Sequence, residues 1–194
     1  MEKITSLNLS LDKAVIQILI PGMLAVTPFL FLLLDTLPPL KLYLINNQTV
    51  LITTFTLLGV AAGMIVDNIG GRFEVHVIDK SLKDKFPFFE SDWAKFLCIT
   101  YEHEPVGHRY LRNMLFRMKF ELSTGIALIL MAIGSAIIAC RFGLFANSFW
   151  STIFCLIMQL LISSYLLFIE AKSSAKILAK TRMMLVDEFY QTRL

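Results

Sequence analysis

The densest concentration of positive charge in the chain lies between Glu104 and Leu122, in the run EPVGHRYLRNMLFRMKFEL. From Pro105 to Glu121 there are four Lys or Arg residues and one acidic residue. Arginine and lysine bind phosphate and other oxyanions, and aromatic rings placed among them can stack on bases. We therefore predict an anion-binding surface here. The candidate ligand-binding residues are His108, Arg109, Arg112, Phe116, Arg117 and Lys119.

Helical periodicity divides this run into two faces. At about 100° per residue, His108, Arg112 and Lys119 fall within a narrow arc. The opposite face holds the apolar residues Leu111, Met114, Leu115, Met118 and Leu122. The pattern predicts an amphipathic helix. The alternative to a ligand site is a basic helix that flanks a membrane span, since cytoplasmic flanks are commonly basic.

Two histidines near the start of the run flank a glutamate, as they do in a zinc-protease box. That motif requires histidines four residues apart on one helical face, whereas His103 and His108 are five apart with Pro105 and Gly107 between them. The sequence also contains no GxxxxGK[ST] loop, GxGxxG turn or GxSxG elbow. We predict no metal site, no cofactor and no enzymatic activity.

Two apolar segments carry stripes of polar residues. A hydroxyl, amide or carboxylate within a membrane helix needs a polar partner or water, so each stripe could line an aqueous path. The candidate pore-lining residues are Thr49, Thr53, Thr56 and Asp67 in one segment and Thr152, Gln159, Ser163 and Glu170 in the other. The alternative is helix packing, which the GxxxG pair Gly59 and Gly63 would favour in the first segment.

The elements that position these residues are membrane helices. The 194 residues are 56% hydrophobic and 17% charged, with a mean hydropathy of +0.68, which is too apolar for an ordinary soluble domain. Four segments have the length needed to cross a hydrocarbon layer of ~30 Å. These predicted spans are residues 14–34, 49–66, 123–140 and 149–169.

The predicted fold class is an all-α membrane protein with a helical cytoplasmic segment between the second and third spans and a cytoplasmic helix at the carboxyl end. Of the 18 Lys and Arg residues, 16 lie in the two tails and the middle segment, so the positive-inside rule places these parts in the cytoplasm. The predicted divisions are a transmembrane hairpin (1–67), a cytoplasmic segment (68–122), a second hairpin (123–169) and a carboxyl-terminal helix (170–194).

Local signals predict where these elements begin and end. Pro21 and Pro28 are expected to kink or interrupt the first span, because proline removes backbone donors. Gly70 and Gly71 are expected to end the second helix. The run 72–78 alternates like a strand, although a helical turn is equally open.

Two further helices are predicted on the cytoplasmic side. Residues 90–100 form a short helix with Trp93, Phe96 and Leu97 on an apolar face. Residues 171–194 continue the fourth span as a helix. Its Lys172, Lys176 and Lys180 recur every four residues and would face lipid headgroups, solvent or a ligand.

The sequence also resembles a known group of proteins. Four spans surrounding the segments VDNIGGRFEVHVID, SDWAKFL and EPVGHRYLRNMLFRMKFELS resemble the small four-span membrane proteins of bacterial antiphage-defence systems, and are most similar to the membrane channel component of the Hailong system. The resemblance implies an oligomeric ion channel that single-stranded DNA oligomers hold closed. A partner nucleotidyltransferase would make these oligomers, and opening during infection would depolarise the cell.

The resulting hypothesis is a multi-pass channel of the bacterial inner membrane, gated by a nucleotide or single-stranded DNA ligand. Its expected partners are the lipid bilayer, further copies of itself, with a tetramer as one candidate, and a co-encoded nucleotidyltransferase. The alternative is a non-conducting membrane sensor or scaffold that recruits a cytosolic defence partner. A small transporter is disfavoured, because no acidic residue lies at mid-span, where coupling sites usually lie.

Overall fold

The computed structural model describes residues 2–86, 89–97, 106–144 and 150–191, and these ranges are almost entirely helical and contain no strand. Some residues of the predicted elements lie outside the described ranges: 98–100, His103, Glu104, 149 and 192–194. The elements are α1 (Glu2–Thr36), α2 (Pro38–Asn46), α3 (Gln48–Phe73), a π-helical segment (Glu74–Asp79), α4 (Lys80–Lys83), α5 (Phe89–Leu97), α6 (Val106–Arg141) and α7 (Trp150–Gln191).

Four of these helical stretches are long and apolar enough to cross a membrane. The prediction of an all-helical chain with four such helices is confirmed. At a rise of 1.5 Å per residue, the 36 residues of α6 and the 42 of α7 measure ~54 and ~63 Å, against a hydrocarbon layer of ~30 Å. Each helix therefore extends well past the layer. We call the part formed by residues 74–86, 89–97, 106–122 and 170–191 the charged end.

Helices α1 and α3 pack against each other through glycines. A Cβ atom at Gly63 would overlap the carbonyl oxygen of Ile18, and one at Gly22 would overlap that of Gly59. The two backbones approach too closely for any side chain, which is the arrangement that small residues permit between membrane helices. The close helix approach predicted from the GxxxG pair is confirmed.

Helix α1 runs without a break through Pro21 and Pro28, so the prolines do not interrupt the first span, and the expected kink stays a prediction. Both prolines are buried against neighbouring helices, which can compensate for the lost backbone bonds. Pro28 lies against α6, where a Cβ at Gly134 would come within 2.5 Å of its Cγ. The three helices α1, α3 and α6 thus form one packed group, with Ala25, Val66 and Ala127 at its centre.

The Gly70–Gly71 pair does not end the second membrane helix, contrary to the prediction. Gly70 is buried where α3 crosses α6, and a Cβ there would lie 3.5 Å from the Ser123 hydroxyl oxygen. Packing at this crossing offsets the low helix propensity of glycine, which costs about 1 kcal/mol per residue. The chain then continues as the π-helical segment, so the strand-like alternative for residues 72–78 is also wrong.

The charged end has its own core between α6 and α7. Met118 and Leu122 pack on a row of small α7 residues, and Ile78 and Leu82 cover them from the chain that follows α3. The α7 residues in this core are Ala171, Ala175 and Ala179. Helix α7 continues to Gln191 and α5 forms at Phe89–Leu97, so both predicted helices are confirmed over the described residues.

Candidate functional site

The predicted ligand-binding residues of α6 have different surroundings. His108 stacks on Phe96 of α5, with 4.6 Å between ring centroids. Arg112 lines a cavity between α6 and α7, and Arg109 is exposed. Phe116 stacks on Phe120 of its own helix, at 6.4 Å. His108 and Arg112 therefore share one site, which Arg109 and Phe116 do not line.

Arg117 and Lys119 lie farther along α6 and face carboxylates. The Arg117 Nε donates a 2.7 Å hydrogen bond to Glu121 Oε1, and its Nη2 donates one of 3.4 Å to Glu170 Oε2. Lys119 lines a small cavity of about 50 Å³ together with Asp67 and Glu74. The structure thus separates these two cations from His108 and Arg112.

The site that His108 and Arg112 share is a cavity of about 260 Å³ between α5, α6 and α7. Its described lining residues are Trp93, Phe96, His108, Leu111, Arg112, Leu115, Leu178 and Arg182. Two guanidinium groups are present and no carboxylate is among these residues. We call it the aromatic cavity, because its walls are otherwise apolar and include an indole and a phenyl ring.

Arg182 is the least expected member of this cavity. Only 4% of its surface is exposed. Its guanidinium carbon lies 4.6 Å from the ring centroid of Phe89 and 4.7 Å from that of Trp93, so two aromatic rings hold the cation by their π faces. Its Nε is buried with no hydrogen-bond partner among the described residues.

A second cavity, of about 310 Å³, shares four lining residues with the first: Trp93, Leu115, Leu178 and Arg182. It differs in charge, because Glu74, Asp79 and Glu90 line it together with Lys83. Lys83 forms an ion pair with Glu90, and the ammonium group lowers the pKa of the Glu90 carboxyl from its ordinary value. The aromatic cavity is therefore the one suited to an anion.

Asp67, a predicted pore-lining residue, lies at a junction of three helices. Its Oδ1 accepts hydrogen bonds from Gln17 Nε2 of α1, at 3.1 Å, and from Ser123 Oγ of α6, at 3.2 Å. The carboxylate therefore has partners within the subunit. This arrangement satisfies polar groups that would be costly to leave unpaired in an apolar environment.

The other predicted pore-lining residues lie toward the surface of the subunit. Thr49 and Thr53 are exposed on α3, and the Thr53 hydroxyl donates a 2.8 Å hydrogen bond to the Thr49 carbonyl, as in the packing alternative. Thr56 and Ser163 are half-buried. Thr152, Gln159 and Glu170 are exposed on α7. Most residues of the α3 and α7 stripes, taken together, are therefore exposed on the surface of the single subunit.

Sequence reasoning missed Arg182 and assigned Trp93 only to an apolar face. A signal for Arg182 was present, because it follows Ala171, Ala175 and Ala179 at helical spacing and precedes Val186 on the same buried face. A lone cation within an apolar stripe indicates a buried charge. The lysine residues of α7, in contrast, are exposed on the other side of the helix.

Comparison of the chain with protein-family models, curated proteins and solved structures gave no match.

Proposed function

We propose that this chain is one subunit of an oligomeric ion channel in the bacterial inner membrane, controlled by an anionic ligand that binds at the charged end. One observation carries the proposal. Gln159 lies in the apolar half of α7, yet its side chain is exposed on the surface of the subunit. Intramembrane polar groups almost always face a bundle interior or a water-filled cavity.

The surroundings of Gln159 support an assembly of several copies. Helix α7 packs chiefly on α6. Only 6% of the residues in its most apolar stretch are buried within the chain. Thr152, Cys155 and Gln159 are exposed along it. Turning this face toward copies of itself around an axis would remove the polar groups from lipid and surround a path with hydroxyl and amide groups.

Two continuous helices support coupling between the charged end and this face. Helix α6 extends from His108 and Arg112 into the apolar half without interruption. It is joined to α7 by a 2.8 Å hydrogen bond from the Ser164 hydroxyl to the Gly125 carbonyl oxygen. An anion that changes the angle between the two helices at the charged end would therefore move α7 along its whole length.

The biological setting is part of the proposal and rests on the sequence. The distribution of Lys and Arg favours a cytoplasmic charged end with both termini on that side. The resemblance to the Hailong membrane component favours an antiphage-defence effector that depolarises the membrane. A nucleotide or single-stranded DNA oligomer, made by a co-encoded nucleotidyltransferase, is the proposed physiological ligand.

Recording in planar bilayers tests the channel directly. The purified full chain should give discrete conductance steps, and adding a single-stranded DNA oligomer on the side of the charged end should change the open fraction. Gln159→Leu should lower the conductance severalfold, whereas Met158→Leu on the neighbouring exposed position should not. No conductance under any ligand condition would contradict the proposal.

The scaffold alternative has one observation in its favour. Lys172, Lys176 and Lys180 are all exposed in a row on α7 and could dock an acidic partner. Replacing all three by Gln would then abolish partner capture in the cell. In the channel proposal the same triple replacement leaves the single-channel conductance unchanged.

A further inference from the structure

Arg182 is buried more completely than an ordinary structural arginine. A guanidinium removed from water needs compensating charge and hydrogen bonds, because the desolvation cost is several kcal/mol. The carboxylates of Asp92 and Asp79 lie near enough to attract it, and the rings of Phe89 and Trp93 contact its faces. Its Nε–H still has no acceptor among the described residues.

Arg182 lines both the aromatic cavity and the second, acidic cavity, and of these two only the aromatic cavity has no carboxylate among its described lining residues. Apart from Arg182, Arg112 and His108, its described walls are aromatic or aliphatic. Its volume of about 260 Å³ corresponds to roughly nine water-sized groups at ~30 Å³ each. An anion entering it would meet two guanidinium groups and no carboxylate among the described lining residues.

The walls define the rest of the ligand. Trp93 of α5, Leu115 of α6 and Leu178 of α7 each present an apolar surface to the cavity. A small hydrated ion would leave these surfaces uncovered, and an uncharged hydrocarbon would leave the Arg182 donor unsatisfied. A ring that carries an oxyanion satisfies both the surfaces and the donor.

We propose that the aromatic cavity is a binding site for a small aryl oxyanion, a phosphate or carboxylate attached to a single flat ring, with Arg182 as its anchoring cation. The oxyanion accepts from Arg182 and Arg112, and the ring occupies the space between Trp93, Leu115 and Leu178. This site deepens the proposed function and rests on it in one respect, that an anion bound at the charged end controls the channel; binding itself is tested independently of conductance.

The position of the cavity gives the ligand a consequence for the fold. α5, α6 and α7 each contribute residues to its walls, so a bound ligand contacts all three helices. A ligand that accepts from the Arg182 Nε satisfies a buried donor that otherwise has no acceptor among the described residues. Binding therefore stabilises the folded chain by linkage, in proportion to ligand concentration over Kd.

Calorimetric titration of the full chain in nanodiscs tests the site with three probes. Phenyl phosphate carries both the ring and the oxyanion, inorganic phosphate lacks the ring, and 2-phenylethanol lacks the charge. Phenyl phosphate should bind the wild-type chain at least tenfold more tightly than either of the others. Equal binding of phenyl phosphate and inorganic phosphate, or no binding of phenyl phosphate at millimolar concentration, would overturn the proposal.

Variants locate the binding. Arg182→Met should lower the affinity for phenyl phosphate at least tenfold, and Lys180→Met, an exposed cation two residues away, should leave it unchanged. Leu178→Phe fills the cavity without altering Arg182, so it should also abolish binding even if Arg182→Met fails to fold. If Leu178→Phe retains wild-type affinity, Arg182 only joins α5 to α7 and the proposal is wrong.

The titration and the planar-bilayer recording together separate this inference from the channel. Binding of phenyl phosphate by a chain that never conducts would support the site and contradict the channel. Conductance that a DNA oligomer controls, in a chain that binds no aryl anion, would support the channel and contradict the site.

Discussion

The Arg117 guanidinium and the Glu170 carboxylate lie 3.4 Å apart where α6 and α7 enter the charged end. Arg117 also binds Glu121 on its own helix, at 2.7 Å. Arg117 was predicted to bind a ligand and Glu170 to line a pore. The pairing gives both of them a partner within the subunit, and Arg117 does not line the aromatic cavity, whereas Arg112 and Arg182 do.

The first prediction concerns this pairing. Because two carboxylates already neutralise Arg117 outside the aromatic cavity, Arg117→Gln should change the affinity for phenyl phosphate by less than twofold. Arg112→Gln, five residues away on the same helix, should lower it severalfold. Titration of both variants with phenyl phosphate measures the two affinities. A larger loss of affinity for Arg117→Gln than for Arg112→Gln would contradict the placement of the ligand in the aromatic cavity.

The second prediction concerns the packing of α1 on α3. Gly63→Ala introduces a Cβ that overlaps the Ile18 carbonyl, and overpacking of this kind costs about 1–3 kcal/mol. Gly71→Ala provides the matched control, since no atom lies within 4 Å of its added Cβ. That replacement should stabilise the helix by about 0.5–1 kcal/mol. Unfolding in mixed micelles measures both, and equal effects would contradict the close approach.

The third prediction concerns the three-helix junction at Asp67. Asp67→Leu removes the acceptor of Gln17 and Ser123 and leaves two partly buried donors unsatisfied, which costs about 1–3 kcal/mol each. Asp67→Asn keeps an acceptor oxygen and should cost less. The adjacent exposed Asn68→Leu is the control. The free energy of unfolding should be highest for Asn68→Leu, lower for Asp67→Asn and lowest for Asp67→Leu. Any other order would contradict the assigned hydrogen bonds.

The fourth prediction concerns acid. Lys83 lowers the pKa of Glu90 in the folded chain, so the pair stabilises the folded state above the unfolded pKa of about 4.3 and loses this effect as pH falls through the lower folded value. The difference in thermal midpoint between the wild type and Glu90→Gln should therefore shrink as the pH falls below the unfolded pKa and vanish once the pH is below the lowered folded pKa. A difference that grew on acidification would contradict the sign of the shift.

The membrane helices could be predicted from the sequence because each depends on local composition. Apolar length predicted the spans, and helical spacing predicted α5 and the extension of α7 past residue 170. The end of α3 could not be predicted in this way. Gly70 has a local preference to end a helix, but it packs against Ser123 and Leu122, which are more than 50 residues away in the chain.

The candidate site was predictable only in part. His108 and Arg112 were found from charge spacing on one helix, and that signal requires no knowledge of the fold. Arg182 and Trp93 reach the same cavity from α7 and α5, so their role depends on how three helices meet. The Arg117–Glu121 pair was visible as an i,i+4 spacing, whereas its second partner, Glu170, required the packing of α6 on α7.

The most direct test of the central claim uses a cysteine that the chain already contains. Cys155 is exposed on α7, four residues before Gln159 and on the same face. In a background of Cys98→Ser and Cys140→Ser, a charged, water-soluble methanethiosulfonate reagent should label Cys155 in liposomes and reduce the single-channel conductance, with Cys155→Ser insensitive. A Cys155 that this reagent never labels in conducting channels would show that the α7 face meets lipid or dry protein, which would contradict the proposed aqueous path.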